Sequence, residues 1–356
     1  MSITPEFWAG RRVVLTGHTG FKGSWLALWL AELGAEVTGV SLAPDGSNAV
    51  FRGARIDGLV RSLEVDILDR DALDEAVLAA DPEVVFHLAA QALVLPAVAN
   101  PVETFTTNVL GTANVLAACD QVAPRVVLVA TTDKVYENHE DGRPFVESDP
   151  LGGGDPYSAS KAAAEIVVAS WRHTFTADGP CRLATARAGN VIGGGDAAAE
   201  RLLPDLVRAF RDDRPAVIRH PGSRRPWQFV LEPLAGYLAY AERLAGPSTV
   251  DVPVALNFGP PVDAAVPVAE MADLAAEAWG GGRWEAPGGP DGRSVESQVL
   301  VLDPALAGTT LGWRSVLSVE EAVRWTVEWW RSENEGADMQ AMCREQLDRY
   351  RERLGR

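Results

Sequence analysis

Cysteine is scarce in this chain of 356 residues. The three present (Cys119, Cys181 and Cys343) are too scattered for a disulfide framework and show no metal-ligand spacing. They read as reduced thiols, so we expect a cytoplasmic location and no bound metal. Basic charge is also in deficit: 32 Lys and Arg stand against 49 Asp and Glu, a net charge of −17. That balance argues against broad attraction to nucleic acid or anionic lipid. No apolar run reaches the roughly 18 residues of a membrane span. The opening residues lack a basic region followed by an apolar run, so no secretory signal is expected. There is no repeat of fixed period and no low-complexity tract. What remains is 47% hydrophobic and 23% charged, the composition of a globular chain with one large domain or two smaller ones.

The first informative stretch runs from residue 12. Arg12 to Thr16 reads as a buried strand, and a helix ending at Gly34 follows the turn Gly17-His-Thr-Gly20-Phe-Lys-Gly23. Glycines at 17, 20 and 23 suit a turn where a pyrophosphate approaches backbone N–H groups at a helix N-terminus, since a Cβ would block it. The second strand, Glu36 to Val40, ends without the acidic residue that usually meets a ribose. Asp45 is the nearest carboxylate. No arginine follows directly, which favours NAD, while Arg52 and Arg55 keep NADP open. Asp66 and Ile67, at the end of a third strand, are candidates for adenine contact, with a plain loop as the alternative. The fourth strand, from Glu83, ends in the small residues Ala89 and Ala90 and then Gln91, where a flat cofactor fits against the backbone. Asn108 opens an apolar helix. Arg125 to Ala130 is a fifth strand and runs into Thr132, Asp133 and Lys134. Strand and helix alternate, with ligand-type residues at strand ends. This predicts an α/β fold with a doubly wound parallel sheet of Rossmann type.

Tyr157 and Lys161 lie four residues apart at the start of a helical segment, hence on one face. An ammonium beside a phenol favours the phenolate, which can take a proton from an alcohol. Tyr-x-x-x-Lys is common by chance and gains meaning only from its surroundings. Further on, Arg219, Arg224 and Arg225 cluster in an otherwise acidic chain. Guanidinium groups there match the oxygens of a nucleoside diphosphate.

The glycine turn, Thr132 and Tyr157-x-x-x-Lys161 together resemble the extended short-chain dehydrogenase/reductase family, in its nucleotide-sugar branch. Longer phrases narrow the resemblance: Phe7 to Trp25, Thr132 to Asn138, Pro150 to Lys161, Arg187 to Asp196, Arg225 to Pro233 and Asn257 to Pro260 are similar to the CDP-glucose 4,6-dehydratases. The resemblance implies a lyase that carries NAD and acts on a nucleotide sugar, most closely CDP-glucose. Tyr157 would take the C4 hydroxyl proton, with Lys161 lowering its pKa and Thr132 orienting the hydroxyl. Asp133 would be the acid for the C6 oxygen, and Lys134 a base or an orienting cation. Gly17, Gly20, Phe21, Lys22, Gly23, Asp66, Ile67, Leu88, Ala89, Ala90, Gln91, Asn108, Tyr157 and Lys161 would hold the cofactor. Gln91, Asn190, Arg201, Arg219 and Arg225 would meet the substrate. A homodimer pairing along the small-residue face Ala159 to Ala169 is also implied.

The expected organisation is a dinucleotide-binding domain over 1–187 with a returning segment at about 226–260. A substrate lobe would cover 188–225 and 261–331, and a charged tail 332–356. Three departures from the family pattern stand out. The segment from Ala92 to Ala99 lacks an expected arginine, Phe229 stands where histidine is usual, and Val295 replaces another histidine. Two rival functions remain: an epimerase on the same scaffold, and a non-catalytic NAD-sensing protein. The pair Asp133-Lys134 argues against the first, and the presence of both Tyr157 and Lys161 against the second.

Overall fold

The structure is a computed structural model and describes residues 1, 3–44, 46, 48–177, 179–247, 251–286 and 300–355. Asp45 and Val295 lie outside these residues. The central sheet is wholly parallel: β1 (Arg12–Thr16), β2 (Glu36–Ser41), β3 (Arg61–Glu64), β4 (Val84–His87), β5 (Val126–Ala130), β6 (Arg182–Ala188) and β7 (Ala255–Phe258), in the order β7-β6-β5-β4-β1-β2-β3. Strand order reverses between β1 and β4, which opens a crevice at their carboxyl ends.

Alternation along the strands sends side chains to two cores. Val13, Leu15, Val84, Phe86, Val126 and Leu128 enter one, while Val14, Val85, Val127 and Val129 enter the other. Helices cover both faces, as a parallel sheet requires. The longer helices among the described residues are α1 (Phe21–Glu32), α2 (Arg70–Ala80), α3 (Gly111–Val122), α4 (Pro156–Trp171), α5 (Leu202–Arg211), α6 (Leu231–Leu244), α7 (Val268–Trp279), α8 (Val319–Asn334) and α9 (Met339–Leu354). The first core takes α1 and α6, and the second takes α2, α3 and α4.

Beyond β6 the chain leaves the sheet. Val191–Ile192 pairs with Gln228–Phe229, and Arg224–Arg225 pairs with Val266–Pro267. These short ladders hang the arginine-rich loop over the carboxyl edge.

Two expectations are corrected. The third strand ends at Glu64, so Asp66 and Ile67 sit in the loop behind it. The charged tail is no tail: α9 buries Met339, Met342, Cys343, Leu347 and Tyr350. Tyr350 packs edge-on against Trp29 of α1, and Gln346 Nε2 donates to the Trp325 carbonyl at 2.8 Å. Its exposed face carries the charge that dominates its composition. No helix among the described residues is long and apolar enough to cross a membrane.

Candidate active site

The glycine turn follows β1 directly. Gly17 has φ of +76°, and a Cβ there would lie 2.7 Å from the Ala89 nitrogen. A Cβ on Gly23 would lie 2.0 Å from the Gly17 carbonyl oxygen. Gly20 caps α1 without a side chain. The turn is therefore pressed against the end of β4 and leaves the first-turn N–H groups of a twelve-residue helix uncovered by side chains. That cradle fits a dinucleotide pyrophosphate. Thr16 holds the contact together: its Oγ1 accepts the N–H groups of Leu88 and Ala89, each at 3.2 Å, and shares a 2.7 Å bond with His87 Nδ1. Burial pushes His87 down to about 3, so its imidazole is neutral.

At the end of β2, Ser41 occupies the place of the missing carboxylate. Thr19 Oγ1 bonds Ser41 Oγ at 2.7 Å and donates to the Leu42 carbonyl at 3.1 Å. Arg55, a possible partner for a 2′-phosphate, is paired instead with Asp338, the N-cap of α9, at 2.9 Å. Asp66 Oδ1 accepts the Leu68 N–H at 2.9 Å, closing its own loop, and Ile67 is packed against Gly111.

Gln91 and Asn108 are committed to each other. Asn108 Oδ1 accepts the Gln91 N–H at 2.8 Å, and its Nδ2 donates to the Gln91 carbonyl at 2.9 Å and to Ser160 Oγ at 2.8 Å. The Gln91 carboxamide turns into its own loop, with Nε2 on the Leu93 carbonyl and on Thr104 Oγ1. In this arrangement both residues fix the backbone beside Ala89 and Ala90, rather than presenting their amides to a ligand.

The helix α4 starts where Asp155 caps it, Oδ1 accepting the N–H groups of Tyr157 at 2.9 Å and Ser158 at 3.1 Å. Tyr157 thus stands in the first turn with Lys161 behind it. Both are buried. Lys161 Nζ donates to the Ala130 carbonyl at 3.1 Å, and the Tyr157 hydroxyl is hydrogen bonded to Thr132. Burial pushes Tyr157 up to about 12, opposed by the Thr132 bond and the Arg201 charge. Burial brings Lys161 down to about 8, with the Lys22 charge adding and Glu165 opposing. Desolvation thus outweighs the expected lowering of the tyrosine, and the resting group is the phenol.

Asp133 lies against them, almost completely buried. Thr132 Oγ1 donates to its Oδ1 at 2.9 Å. Its Oδ2 is buried with no hydrogen-bond partner among the described residues. A Cβ on Gly189 would lie 2.8 Å from that oxygen, so the glycine leaves room for it. Burial raises the Asp133 pKa above the ordinary value, against the charges of Lys134, Arg225 and Lys22 and the Thr132 bond. Lys134 is half-buried beside it.

Lys22 faces this carboxylate side. Its Nζ donates to the Tyr237 hydroxyl at 3.2 Å, and burial, with Arg201 adding, takes it down to about 8. Arg201 is paired with Asp196 at 2.7 Å and acts on Tyr157 and Lys22. Arg225, half-buried, acts on Asp133. The Asn190 carbonyl accepts the Gln228 N–H at 3.0 Å, which holds the loop above β6. Arg219 is exposed. Phe229 lies in the core, edge-on to Trp25 and Trp325, so its departure from the family pattern does not face the site. Gly189 and Tyr237 were not among the expected residues. Only the fold brings them to Asp133 and Lys22.

The model of the "NAD dependent epimerase/dehydratase family" matches residues 13–253. A CDP-glucose 4,6-dehydratase of Salmonella typhimurium is 39% identical over 355 residues, 98% of each chain. A UDP-glucose 4-epimerase of Mycolicibacterium smegmatis is 26% identical, over 91% of this chain and all of the other. Among solved structures, an NAD-dependent NDP-hexosamine 5,6-dehydratase of tunicamycin biosynthesis superposes with a TM-score of 0.74 at 26% identity, covering 90% of this chain and 98% of that one. The Thermus thermophilus UDP-glucose 4-epimerase in complex with NAD gives 0.76 at 25% identity, covering 90% and 99%. With the family model spanning both the glycine cradle and the Tyr157 helix, this chain belongs to the NAD-dependent epimerase/dehydratase family.

Proposed function

We infer that this protein is an NAD-dependent nucleotide-sugar 4,6-dehydratase that converts CDP-glucose to the CDP-4-keto-6-deoxy sugar. The near-full-length similarity to a CDP-glucose 4,6-dehydratase supports the substrate. The observation that carries the reaction class is Asp133, a buried carboxyl with one oxygen unpartnered and a raised pKa. Burial disfavours the charge on such a group and favours its protonated form, from which it can give a proton to a leaving oxygen.

Bound NAD would supply hydride chemistry, taking hydride from C4 and returning it to C6, so the overall reaction is redox-neutral. The residues of this chain do the rest. Tyr157 takes the C4 hydroxyl proton as the phenolate, after its own proton has left to solvent, and Thr132 orients that hydroxyl. Lys161 holds positive charge beneath the tyrosine. With a carbonyl at C4, the C5 proton is acidic. Lys134 stands on the side of Asp133 as the base or orienting cation for it, while Asp133 protonates the departing C6 hydroxyl. Gly17, Gly20 and Gly23 cradle the pyrophosphate. Phe21, Lys22, Asp66, Ile67 and Leu88 to Ala90 line the cofactor side, and Asn108 with Gln91 shapes it. Arg201 and Arg225, with Asn190 and Arg219 further out, serve the nucleoside diphosphate. An epimerase would need C4 oxidation alone, and a buried acid beside Thr132 is superfluous to it.

A homodimer is the assembly we propose. Leu95, Val98, Val102, Leu110 and Ile166 are exposed on one side of the molecule's helices, around an apolar groove that Ala163 of α4 helps to line. Free thiols at all three cysteines support a cytoplasmic location.

The test is incubation of the protein and NAD with CDP-, dTDP-, GDP- and UDP-hexoses, reading product mass. Loss of one water from CDP-glucose is expected. Unchanged mass with inverted C4 stereochemistry would replace the reading with epimerisation.

A further inference from the structure

Beneath the site lies a second charged cluster that the chemistry above does not use. Glu165 and Arg187 form a bidentate pair, Nε to Oε1 and Nη2 to Oε2 at 2.9 Å each. Their side chains are only 4% and 6% exposed. Every arm of the pair is engaged. Thr131 Oγ1 donates to Oε1 at 2.6 Å, and Thr185 Oγ1 to Oε2 at 2.8 Å. Arg187 Nη1 donates to the Tyr136 hydroxyl at 2.9 Å and the Glu147 carbonyl at 3.0 Å. Tyr136 in turn donates to Asn257 Oδ1 at 2.6 Å.

The connections are not random. Thr131 and Tyr136 bracket the turn that carries Thr132, Asp133 and Lys134. Both ends of that turn are therefore tied to one ion pair. Glu165 also follows Tyr157 and Lys161 at successive four-residue steps on α4, so the three share a helix face. Lys161 itself bonds the Ala130 carbonyl, next to Thr131. Burying two charges contributes little to stability, because desolvation offsets their attraction. A pair that reaches both catalytic segments has a geometric use instead.

We propose that Glu165 and Arg187 are positioning residues that register the Thr132–Lys134 turn against the Tyr157–Lys161 helix. The proposal rests on the dehydratase reading for its catalytic readout. Catalysis of this kind tolerates little displacement: about 1 Å can cost on the order of a hundredfold in rate.

Two threonines give a matched comparison. Both donate to the same carboxylate, Thr185 from β6 and Thr131 from just past β5, but only Thr131 adjoins the catalytic turn. In the full-length, NAD-loaded protein, Thr131→Val is expected to lower kcat with CDP-glucose by about tenfold or more, leaving KM within about twofold. Thr131→Ser, which restores the hydroxyl, should recover most of that loss. Thr185→Val should stay within about twofold of the parent in kcat. Amide hydrogen exchange over residues 131–137, read on the same proteins, should speed up in Thr131→Val and not in Thr185→Val. Unchanged kcat and exchange in Thr131→Val would overturn the proposal. So would an equal loss in Thr185→Val, since the cluster would then only hold the fold. If the parent itself fails to turn over CDP-glucose, the dehydratase reading falls, and the exchange comparison alone decides the positioning role.

Discussion

At Asp133, burial and charge pull in opposite directions. Three cations and the Thr132 hydroxyl favour the carboxylate, yet desolvation wins and the pKa rises. An acid must hold its proton to act, so activity should fall as pH rises through that raised value; Lys161 loses its charge at about 8, and only the limb that Asp133→Asn abolishes belongs to Asp133. Asp133→Asn keeps the shape and removes the proton donor. We expect kcat to fall by about 10²- to 10⁴-fold. Oxidation at C4 does not need this acid, so the near-ultraviolet band of reduced nicotinamide should build up when substrate is added. Loss of that band together with turnover would place Asp133 in the first step instead. At this scale the sequence was readable where residues act locally. The Tyr157–Lys161 spacing and the Thr132-Asp133-Lys134 run are contiguous signals. Gln91 and Phe229 were not readable in the same way, because where a side chain turns depends on what packs around it. The Gln91 amide is taken by Leu93 and Thr104, and Phe229 by Trp25 and Trp325.

Among the elements, α9 shows how charge can hide packing. Met339, Met342, Leu347 and Tyr350 fall on one face at helical spacing, but the many arginines and glutamates between them make the segment read as solvated. Its anchor is Glu232 of α6. Glu232 Oε2 accepts the Tyr350 hydroxyl at 2.8 Å, and Oε1 accepts the N–H groups of Val316 at 2.9 Å and Leu317 at 2.8 Å. Burial still pushes Glu232 up to about 7 from its ordinary 4.5. The folded state therefore favours the protonated form. The stability this shift contributes is complete below about 4.5 and is lost as pH rises through about 7. Glu232→Gln does not titrate. Its melting temperature relative to the parent should improve by about 2–4 °C between the acid and alkaline ends of that window. A difference that stays constant with pH would show that Glu232 does not titrate there. By contrast, the glycine turn was readable from its place between a strand and a helix. Its three glycines are required by contacts inside one strand-turn-helix unit and with the adjoining strand.

For the molecule as a whole, the parallel sheet was legible from the repeated alternation of apolar strands and helices. The returning segments were less so, since nothing local says that Gln228–Phe229 pairs with Val191–Ile192. Of the exposed apolar face only the α4 part, around Ala163, was legible locally; the exposed Leu95, Val98 and Val102 were not. Val102 is 78% exposed there and contributes little to the interior. Val102→Asp should leave folding intact and shift the sedimentation of the protein from dimer to monomer at micromolar concentration. A parent that already sediments as a monomer would remove the proposed assembly.

In a redox-neutral dehydration of this kind the hydrogen of C4 ends on C6. The most direct measurement uses CDP-glucose deuterated at C4, with the protein and NAD in unlabelled water. The expected product is lighter by one water and retains the deuterium, located at C6 by NMR. A dehydrated product with no deuterium at C6, or recovered sugar with the label back at C4 and no water lost, would contradict it.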